Sequence, residues 1–221
     1  MNKYCVYLLI ASMLFLSACS NNEEIEELQT ISLAEADLLH IDHGSTTLEV
    51  ESADIDSLEA TLLMNNNGPG LVIDEGKQKV KIRLKSDIKR MLNAGKMPQL
   101  FIRIPSSYVG KIMIEGSSGN VKIKNLNTPK LDIKGSSGNV SLDYLEIKGD
   151  IHVSVKSGNL LLNLEDKDSN IHWLLQSGSG RRSVAIPLEN RQQSNRKTLG
   201  QTGDGSFKVQ LQTTSGNITI K

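Results

Sequence analysis

The stretch Gly116-Ser117-Ser118-Gly119-Asn120-Val121-Lys122-Ile123 holds the pattern that decides the fold, a Ser-Gly-Asn turn that leads into an alternating apolar segment. The Ser-Gly pair at 118–119 recurs at 137–138, 157–158, 177–178 and 215–216. The residue that follows the pair is Asn at 120, 139, 159 and 217, and Ser at 179. Most copies are therefore separated by 19 or 20 residues, and the last interval is about twice as long. This spacing indicates a repeat that runs through the second half of the chain.

Apolar residues alternate with polar ones around each turn, with a period of two. The positions four and six residues before the turn serine are apolar in every copy: Ile114, Ile133, Val153, Trp173 and Leu211, and Ile112, Leu131, Ile151, Ile171 and Val209. This alternation predicts a strand, a turn and a second strand in each unit. Glycine reaches positive φ and asparagine tolerates it, which suits both residues to the turn. The predicted structural turn residues are Ser118, Gly119, Asn120, Ser137, Gly138, Asn139, Ser157, Gly158, Asn159, Ser215, Gly216 and Asn217.

Two all-β architectures fit this pattern. In a β-solenoid resembling a parallel β-helix, each unit of about 20 residues is one coil, and the apolar columns pack on those of the neighbouring coils. The turn asparagines then stack as a ladder. In an antiparallel β meander or sandwich each turn is a hairpin, and nothing requires a constant unit length. The constant spacing favours the solenoid, with irregular coils in the first half and in the excursion at about 187–205.

The N-terminus predicts export. Lys3 and an apolar run over 6–16 precede Leu16-Ser17-Ala18-Cys19. This run is shorter than the ~20 residues that a membrane-spanning helix needs. The tetrapeptide resembles the lipobox of bacterial lipoproteins, which implies cleavage of residues 1–18 and lipidation of Cys19. Cys5 leaves with the signal peptide, so no disulfide is expected. The alternatives are an ordinary signal peptide or an uncleaved anchor.

The remaining chain divides into a lipidated N-terminus with an acidic tether at 19–35 and one domain at 36–221. A turn is predicted at 65–70 and a short helix at 85–95. The 221 residues carry 25 basic and 25 acidic side chains, and aromatic residues make up 4%. This balance argues against nucleic acid as a partner and against an aromatic stacking platform.

Residues 100–123 contain a strand, then Ile104-Pro105, a spacer and a Ser-Gly-Asn turn. Together with the later copies of the turn, this stretch resembles the putative adhesin family of bacterial β-strand repeat proteins, a domain of unknown function. The resemblance covers most of the chain after residue 38. It implies a β-solenoid in a cell-envelope setting and no catalytic residues.

Few side chains suggest chemistry. His40 and His43 lie three apart, on opposite faces of a strand, so no metal site is expected. Asp132, His152 and His172 are predicted to stack on successive coils as an outward column. Its simplest interpretation is a solvated face, and the alternative is a weak pH- or metal-responsive strip. The other candidates are a carboxylate cluster and a basic stretch that would contact anionic lipid or polymer: Asp143, Glu146 and Asp150, and Arg181, Arg182, Arg191, Arg196 and Lys197.

The sequence therefore predicts an extracytoplasmic lipoprotein that binds without catalysis and needs no cofactor. It is anchored to a membrane through Cys19 and acts as an adhesin, an envelope scaffold or a stress-sensing accessory. Its partner is an envelope polymer or another envelope protein. The alternatives are a carbohydrate-active β-helix enzyme and a purely structural role.

Overall fold

The computed structural model describes residues 24–65, 70–85 and 98–221. The predicted signal peptide at 1–18, Cys19, most of the predicted turn at 65–70 and most of the predicted helix at 85–95 lie outside these ranges. Within them the chain forms 19 β-strands and no helix. The strands are β1 (Glu24–Ile31), β2 (Leu38–Gly44), β3 (Thr47–Ala53), β4 (Leu58–Asn65), β5 (Leu71–Glu75), β6 (Lys79–Leu84), β7 (Gln99–Pro105), β8 (Lys111–Gly116), β9 (Val121–Lys124), β10 (Lys130–Ser137), β11 (Val140–Tyr144), β12 (Asp150–Ser157), β13 (Leu160–Leu164), β14 (Ile171–Ser179), β15 (Arg182–Val184), β16 (Glu189–Gln193), β17 (Lys197–Thr202), β18 (Phe207–Ser215) and β19 (Ile218–Ile220).

The strands form two large sheets. Sheet A has the order β1-β4-β7-β3-β9-β11-β13-β19-β15, and sheet B has the order β16-β17-β14-β18-β12-β10-β8-β2-β6-β5. Interior neighbours are parallel, as between β10 and β12 or between β11 and β13. Parallel neighbours need a crossover connection, here a passage through the other sheet, so a hairpin meander does not describe the fold. The all-β prediction is confirmed, and the two sheets are β-solenoid-like.

One hydrophobic core lies between the sheets. Leu131 and Ile133 point into it from sheet B, and Val140 and Leu142 point into it from sheet A. Each buried side chain of this size contributes roughly 1.5–3 kcal/mol relative to exposure. Trp173, the largest core residue, has no exposed surface. The core therefore follows from the period-two alternation of the strands.

The spatial order of the strands differs from their order in the sequence. Leu131 lies opposite Ile112 and Ile151, at the expected intervals of 19 and 20 residues. Ile151, however, lies opposite Val209. The expectation that Ile171 continues the stack after Ile151 is therefore wrong, because β18 lies between β12 and β14.

The fourth repeat also has a different register from the predicted one. Trp173 lies opposite Val209, whereas the sequence alignment placed it opposite Leu211. Ser179 lies opposite Ser215, so the turn equivalent to the others begins at Ser179 rather than at Ser177. The shift arises because a second Ser-Gly pair, Ser179-Gly180, follows the first by two residues, and β14 continues through the first pair to Ser179.

The two ends of the stack are closed by antiparallel strands. At one end β4 and β1 continue sheet A and β5 continues sheet B. At the other end the excursion at about 187–205 forms the β16–β17 hairpin, which pairs with β14. Several strands from early and late in the sequence lie inside the sheets: β2 between β6 and β8, β3 between β7 and β9, and β18 and β19 between the two preceding repeats.

The acidic segment predicted as a solvated tether is, from Glu24 onward, an edge strand. It pairs with β4 along its whole length. The Glu27 carboxylate accepts a hydrogen bond from the Leu71 backbone N–H at 3.0 Å, which links sheet A to the edge of sheet B. Ile31 and Leu33, at the end of the strand and just beyond it, are buried in the core, and this burial holds the segment on the domain.

Candidate functional site

The turns that lead from sheet B to sheet A are stacked in direct contact. Gly138 has a φ of +113°, and a Cβ atom on it would lie 1.9 Å from the carbonyl oxygen of Gly119. The equivalent distances are 1.9 Å from Gly158 to Gly138 and 2.0 Å from Gly216 to Gly158. No side chain fits between these turns. The column of turn glycines, Gly119, Gly138, Gly158, Gly216 and finally Gly180, therefore defines one straight edge of the molecule, the turn edge.

An asparagine ladder runs beside this column. The Asn139 backbone N–H donates to Asn120 Oδ1 at 3.0 Å, and the Asn159 N–H donates to Asn139 Oδ1 at 2.9 Å. Asn217 continues the ladder on Asn159, and the Arg181 N–H donates to Asn217 Oδ1, both at 2.9 Å. Each side-chain oxygen is used in the stack. The amide NH₂ groups remain as a row of exposed donors along the turn edge.

A groove of about 570 Å³ lies on the outer face of sheet A beside the ladder. Its floor has one outward side chain from each of five neighbouring strands, β7, β3, β9, β11 and β13: Phe101, Glu49, Lys122, Ser141 and Leu161. Its rim at the turn edge includes three members of the ladder, Asn120, Asn139 and Asn159. The groove thus combines two partly exposed apolar side chains with amide, hydroxyl and charged groups, as small-ligand and carbohydrate sites commonly do.

The next outward row of sheet A is neutralised internally. Arg103 contacts Glu59 at 2.6 Å and Glu51 at 3.6 Å. Lys124 is hydrogen-bonded to Glu49, and this bond raises the pKa of the lysine. These exposed pairs contribute little to stability. They leave this part of the face with no unpaired cation, since Arg103 and Lys124 are both engaged by the three glutamates.

The two histidines of β2 take different partners. His40 Nε2 donates to Glu115 at 2.8 Å, while its Nδ1 is buried without a hydrogen-bond partner among the described residues. His43 Nδ1 donates to the Thr46 carbonyl at 2.6 Å, and its ring occupies the space left by Gly116. Burial lowers the pKa of His43. The two rings are therefore held apart by their own contacts and do not form a joint site.

The predicted outward column of histidines is only partly formed. Asp132 lies opposite His152, with Oδ1 and Nδ1 3.3 Å apart. The prediction that His172 stacks next to His152 is wrong, because β18 separates their strands and His172 lies opposite Lys208. Only the Asp132–His152 contact remains of the predicted strip.

The three clustered carboxylates lie on different faces and take different partners. Asp143, on sheet A, accepts a hydrogen bond from Asn163 at 2.5 Å. Glu146 pairs with Lys148 in a loop, and Asp150, on sheet B, accepts the Lys208 backbone N–H at 2.9 Å. They do not converge as a catalytic acid and base would.

The predicted basic stretch is likewise divided. Arg182 donates to the carbonyl oxygens of Ser194 and Asn195, at 2.7 and 3.2 Å, and so ties the excursion to the stack. Arg191 donates to Gln193 within β16, whereas Arg181 extends the turn edge. Within 24–65, 70–85 and 98–221, no group of three or more His, Cys, Asp or Glu residues could hold a metal ion. The same ranges contain no helix with the length and apolar character needed to cross a membrane.

Sequence reasoning missed the apolar part of the groove. Phe101 stands between Leu100 and Ile102, and Leu161 stands between Leu160 and Leu162, so alternation was hidden in both runs. An apolar residue at a position that should be outward is the signal that would have found them.

Comparison with known proteins identifies relatives of the whole domain. The sequence pattern of the Toastrack DUF4097 family matches residues 36–143 and 115–221. A solved structure described as a putative cell adhesion protein from Clostridium sporogenes is 15% identical, aligns over 90% of this chain and 99% of that chain, and has a TM-score of 0.70, so it shares the fold. A putative adhesin from Bacteroides fragilis is 12% identical over 90% and 99%, with a TM-score of 0.36. A putative lipid binding protein from Parabacteroides distasonis is 17% identical over 89% and 96%, with a TM-score of 0.28. None of the curated proteins matches the sequence.

Proposed function

Because the chain belongs to the Toastrack DUF4097 family, we propose that it is a binding protein of the cell envelope that works as an adhesin or scaffold, without catalysis. The observation that carries this proposal is the groove on sheet A, in which a floor with two apolar side chains, Phe101 and Leu161, lies beside a periodic row of amide donors. The Clostridium sporogenes protein is described as a putative cell adhesion protein, and that description supports a binding role.

The shape of the groove favours an extended ligand. Its floor crosses five strands, which are about 4.8 Å apart, so it is roughly 19 Å long between the outer strands. A glycan chain presents hydroxyl acceptors and apolar ring faces in succession. The amides of Asn120, Asn139 and Asn159 suit the hydroxyl acceptors, as hydrogen-bond donors. Phe101 and Leu161 suit the apolar ring faces. The proposal takes the coil of about 20 residues as the repeating unit of this surface.

The same arrangement argues for binding rather than for the alternative, a carbohydrate-active enzyme. Glycoside hydrolysis uses two carboxyl groups that face each other across the bond to be cleaved. Glu49 is the one carboxylate among the floor side chains, and it is hydrogen-bonded to Lys124. A groove of this composition retains a polymer and lacks the second acidic group.

The binding test uses two double variants. Phe101→Ala with Leu161→Ala removes the apolar floor, and Val109→Ala with Leu145→Ala removes two exposed apolar side chains outside the groove. Retention on a panel of immobilised envelope and plant polysaccharides is measured, together with release of soluble sugar. We expect the floor variant to lose about tenfold or more in affinity and the control to bind normally. Release of sugar by the wild type contradicts the proposal and supports an enzyme.

The anchor is a separate part of the proposal. We propose that Cys19 carries the lipid that holds the domain on a membrane, because Leu16-Ser17-Ala18-Cys19 resembles a lipobox. Two or three acyl chains would make the attachment lasting. Cys19→Ala should abolish incorporation of labelled palmitate, while Cys5→Ala, in the segment to be removed, should not. Equal labelling of both variants contradicts the proposal.

A further inference from the structure

Four exposed lysines form a straight line on the outer face of sheet B. Lys79, Lys111, Lys130 and Lys208 each begin, or nearly begin, a strand and occupy the same outward level. Leu38, at that level on β2, lies opposite both Lys79 and Lys111. The strands β6, β2, β8, β10, β12 and β18 are consecutive in the sheet. Five steps of about 4.8 Å give this lysine row a length of roughly 24 Å.

The lysine row is not neutralised by the protein. Across the described ranges, none of its four ammonium groups makes an ion pair or a side-chain hydrogen bond. Some basic side chains elsewhere on the sheets have acidic partners, as Arg83 has Asp74 and Arg103 has Glu59. Since the whole chain has equal numbers of acidic and basic residues, four unpaired cations in one line are a local excess.

The arrangement has a cost to the fold. Lys111 and Lys130 are at the same level on adjacent strands, where like charges destabilise a sheet. Asp150 stands in the row between Lys130 and Lys208, and its Oδ1 accepts a hydrogen bond from the Lys208 backbone N–H. This bond leaves the carboxylate charged, so the four lysines and one aspartate of the row carry three positive charges in excess. The positive line therefore persists along the edge despite its internal repulsion.

We infer that the lysine row is a binding site for a linear polyanion, a polymer with repeated phosphate or carboxylate groups, lying across the strands. A flat anionic membrane fits less well, because the rest of this face carries both signs of charge: Asp42, Glu115 and Asp132 lie in the same rows as Lys81, Arg83 and Lys134. The excess of positive charge is therefore confined to the row, which a thin chain along the edge can follow. The site lies on the opposite sheet from the groove, and it does not rest on the proposed glycan binding.

The test compares two charge-matched variants of the full chain in detergent. The row variant changes Lys79, Lys111, Lys130 and Lys208 to Gln. The control variant changes four exposed lysines outside the row to Gln: Lys85, Lys156, Lys167 and Lys197. Binding to long-chain inorganic polyphosphate, to polygalacturonate and to neutral dextran is measured at two salt concentrations, about 50 and 200 mM. Binding to phosphatidylglycerol vesicles is compared with binding to neutral vesicles.

We expect the wild type and the control variant to bind at least one polyanion and to lose it with salt, and the row variant to bind about tenfold more weakly or worse. The preferred polymer shows whether phosphate or carboxylate is the natural group. Equal weakening of both variants, or no binding of either polyanion by the wild type, overturns the inference. Row-dependent binding to anionic vesicles without polymer binding also overturns it, in favour of a membrane contact. Lys130→Glu serves as a second, single-site variant if the row variant unfolds.

Discussion

Replacement of Gly138 by alanine tests the stacked turns directly. The new Cβ atom would lie 1.9 Å from the Gly119 oxygen, whereas an ordinary contact is about 3.5 Å. The turns must therefore separate by more than an ångström, or the residue must leave its φ of +113°. The matched control is Gly135→Ala on the same strand region, where the nearest atom would be Val155 Cγ1 at 3.4 Å.

The expected loss can be assembled from its parts. Strain at positive φ costs roughly 1–3 kcal/mol. Separation of the Gly119 and Gly138 turns weakens the hydrogen bonds of the Val121 N–H to the Asn139 carbonyl and of the Asn139 N–H to Asn120 Oδ1, each worth about 1 kcal/mol. The free energy of unfolding should therefore fall by about 3–5 kcal/mol for Gly138→Ala, while Gly135→Ala should be neutral or stabilise by up to about 1 kcal/mol.

Urea unfolding of both variants measures the difference. Trp173 is the one tryptophan in the chain and is fully buried, so its fluorescence reports loss of the core, and circular dichroism reports the strands. A loss within about 1 kcal/mol of that for Gly135→Ala would refute the close contact between turns from which the turn edge is built.

Three further perturbations have defined outcomes. Burial holds the pKa of His43 below 6.5, so the unfolded state takes up a proton first as the pH falls below about 6.5. The free energy of unfolding should therefore decrease between about pH 7 and pH 5 in the wild type and in the control His172→Gln. It should decrease less in His43→Gln. Tyr144→Phe should raise the free energy of unfolding by about 1 kcal/mol, because it removes a buried hydroxyl without a partner in the described residues. Tyr108→Phe should lower it by about 0.5–1.5 kcal/mol, because it removes a hydrogen bond to the Lys111 carbonyl. Equal effects of the two substitutions would contradict these hydrogen-bonding states. Removal of residues 207–221 should abolish cooperative unfolding of the second half, and an unchanged transition would show that β18 and β19 are dispensable.

The local level of the structure could be predicted from the sequence. The strands of the repeats, the inward columns that contain Ile133 and Val153, and the turns at Ser118, Ser137, Ser157 and Ser215 follow from alternation and from Ser-Gly-Asn, because those signals act within a few residues. The all-β class and the family follow from the same motifs. The turn glycines lie where their conformational freedom suits them, and Gly138 has the positive φ that the turn requires.

The order of the coils could not be predicted in the same way. All coils present similar apolar columns, so the side chains of Ile151 pack as well on Val209 as they would on Ile171, and local spacing does not select between them. The tandem Ser177-Gly178-Ser179-Gly180 offers two registers two residues apart, and only the neighbouring strand decides which is used. The groove was not predicted for a related reason: Leu161 lies between two leucines, so its outward position does not show as an interruption of the apolar run.

Because β18 and β19 lie inside the sheets, the second half of the stack cannot close before these two strands have been made. The strand that separates β12 from β14 is β18, which follows both of them in the sequence and is therefore synthesised after its two neighbours. Until it arrives, two rows of backbone groups and the aliphatic side chains beside them have no neighbour. Chains truncated before β18 are thus the form most exposed to aggregation and proteolysis, and the addition of β18 and β19 converts the second half from an open assembly into a closed one.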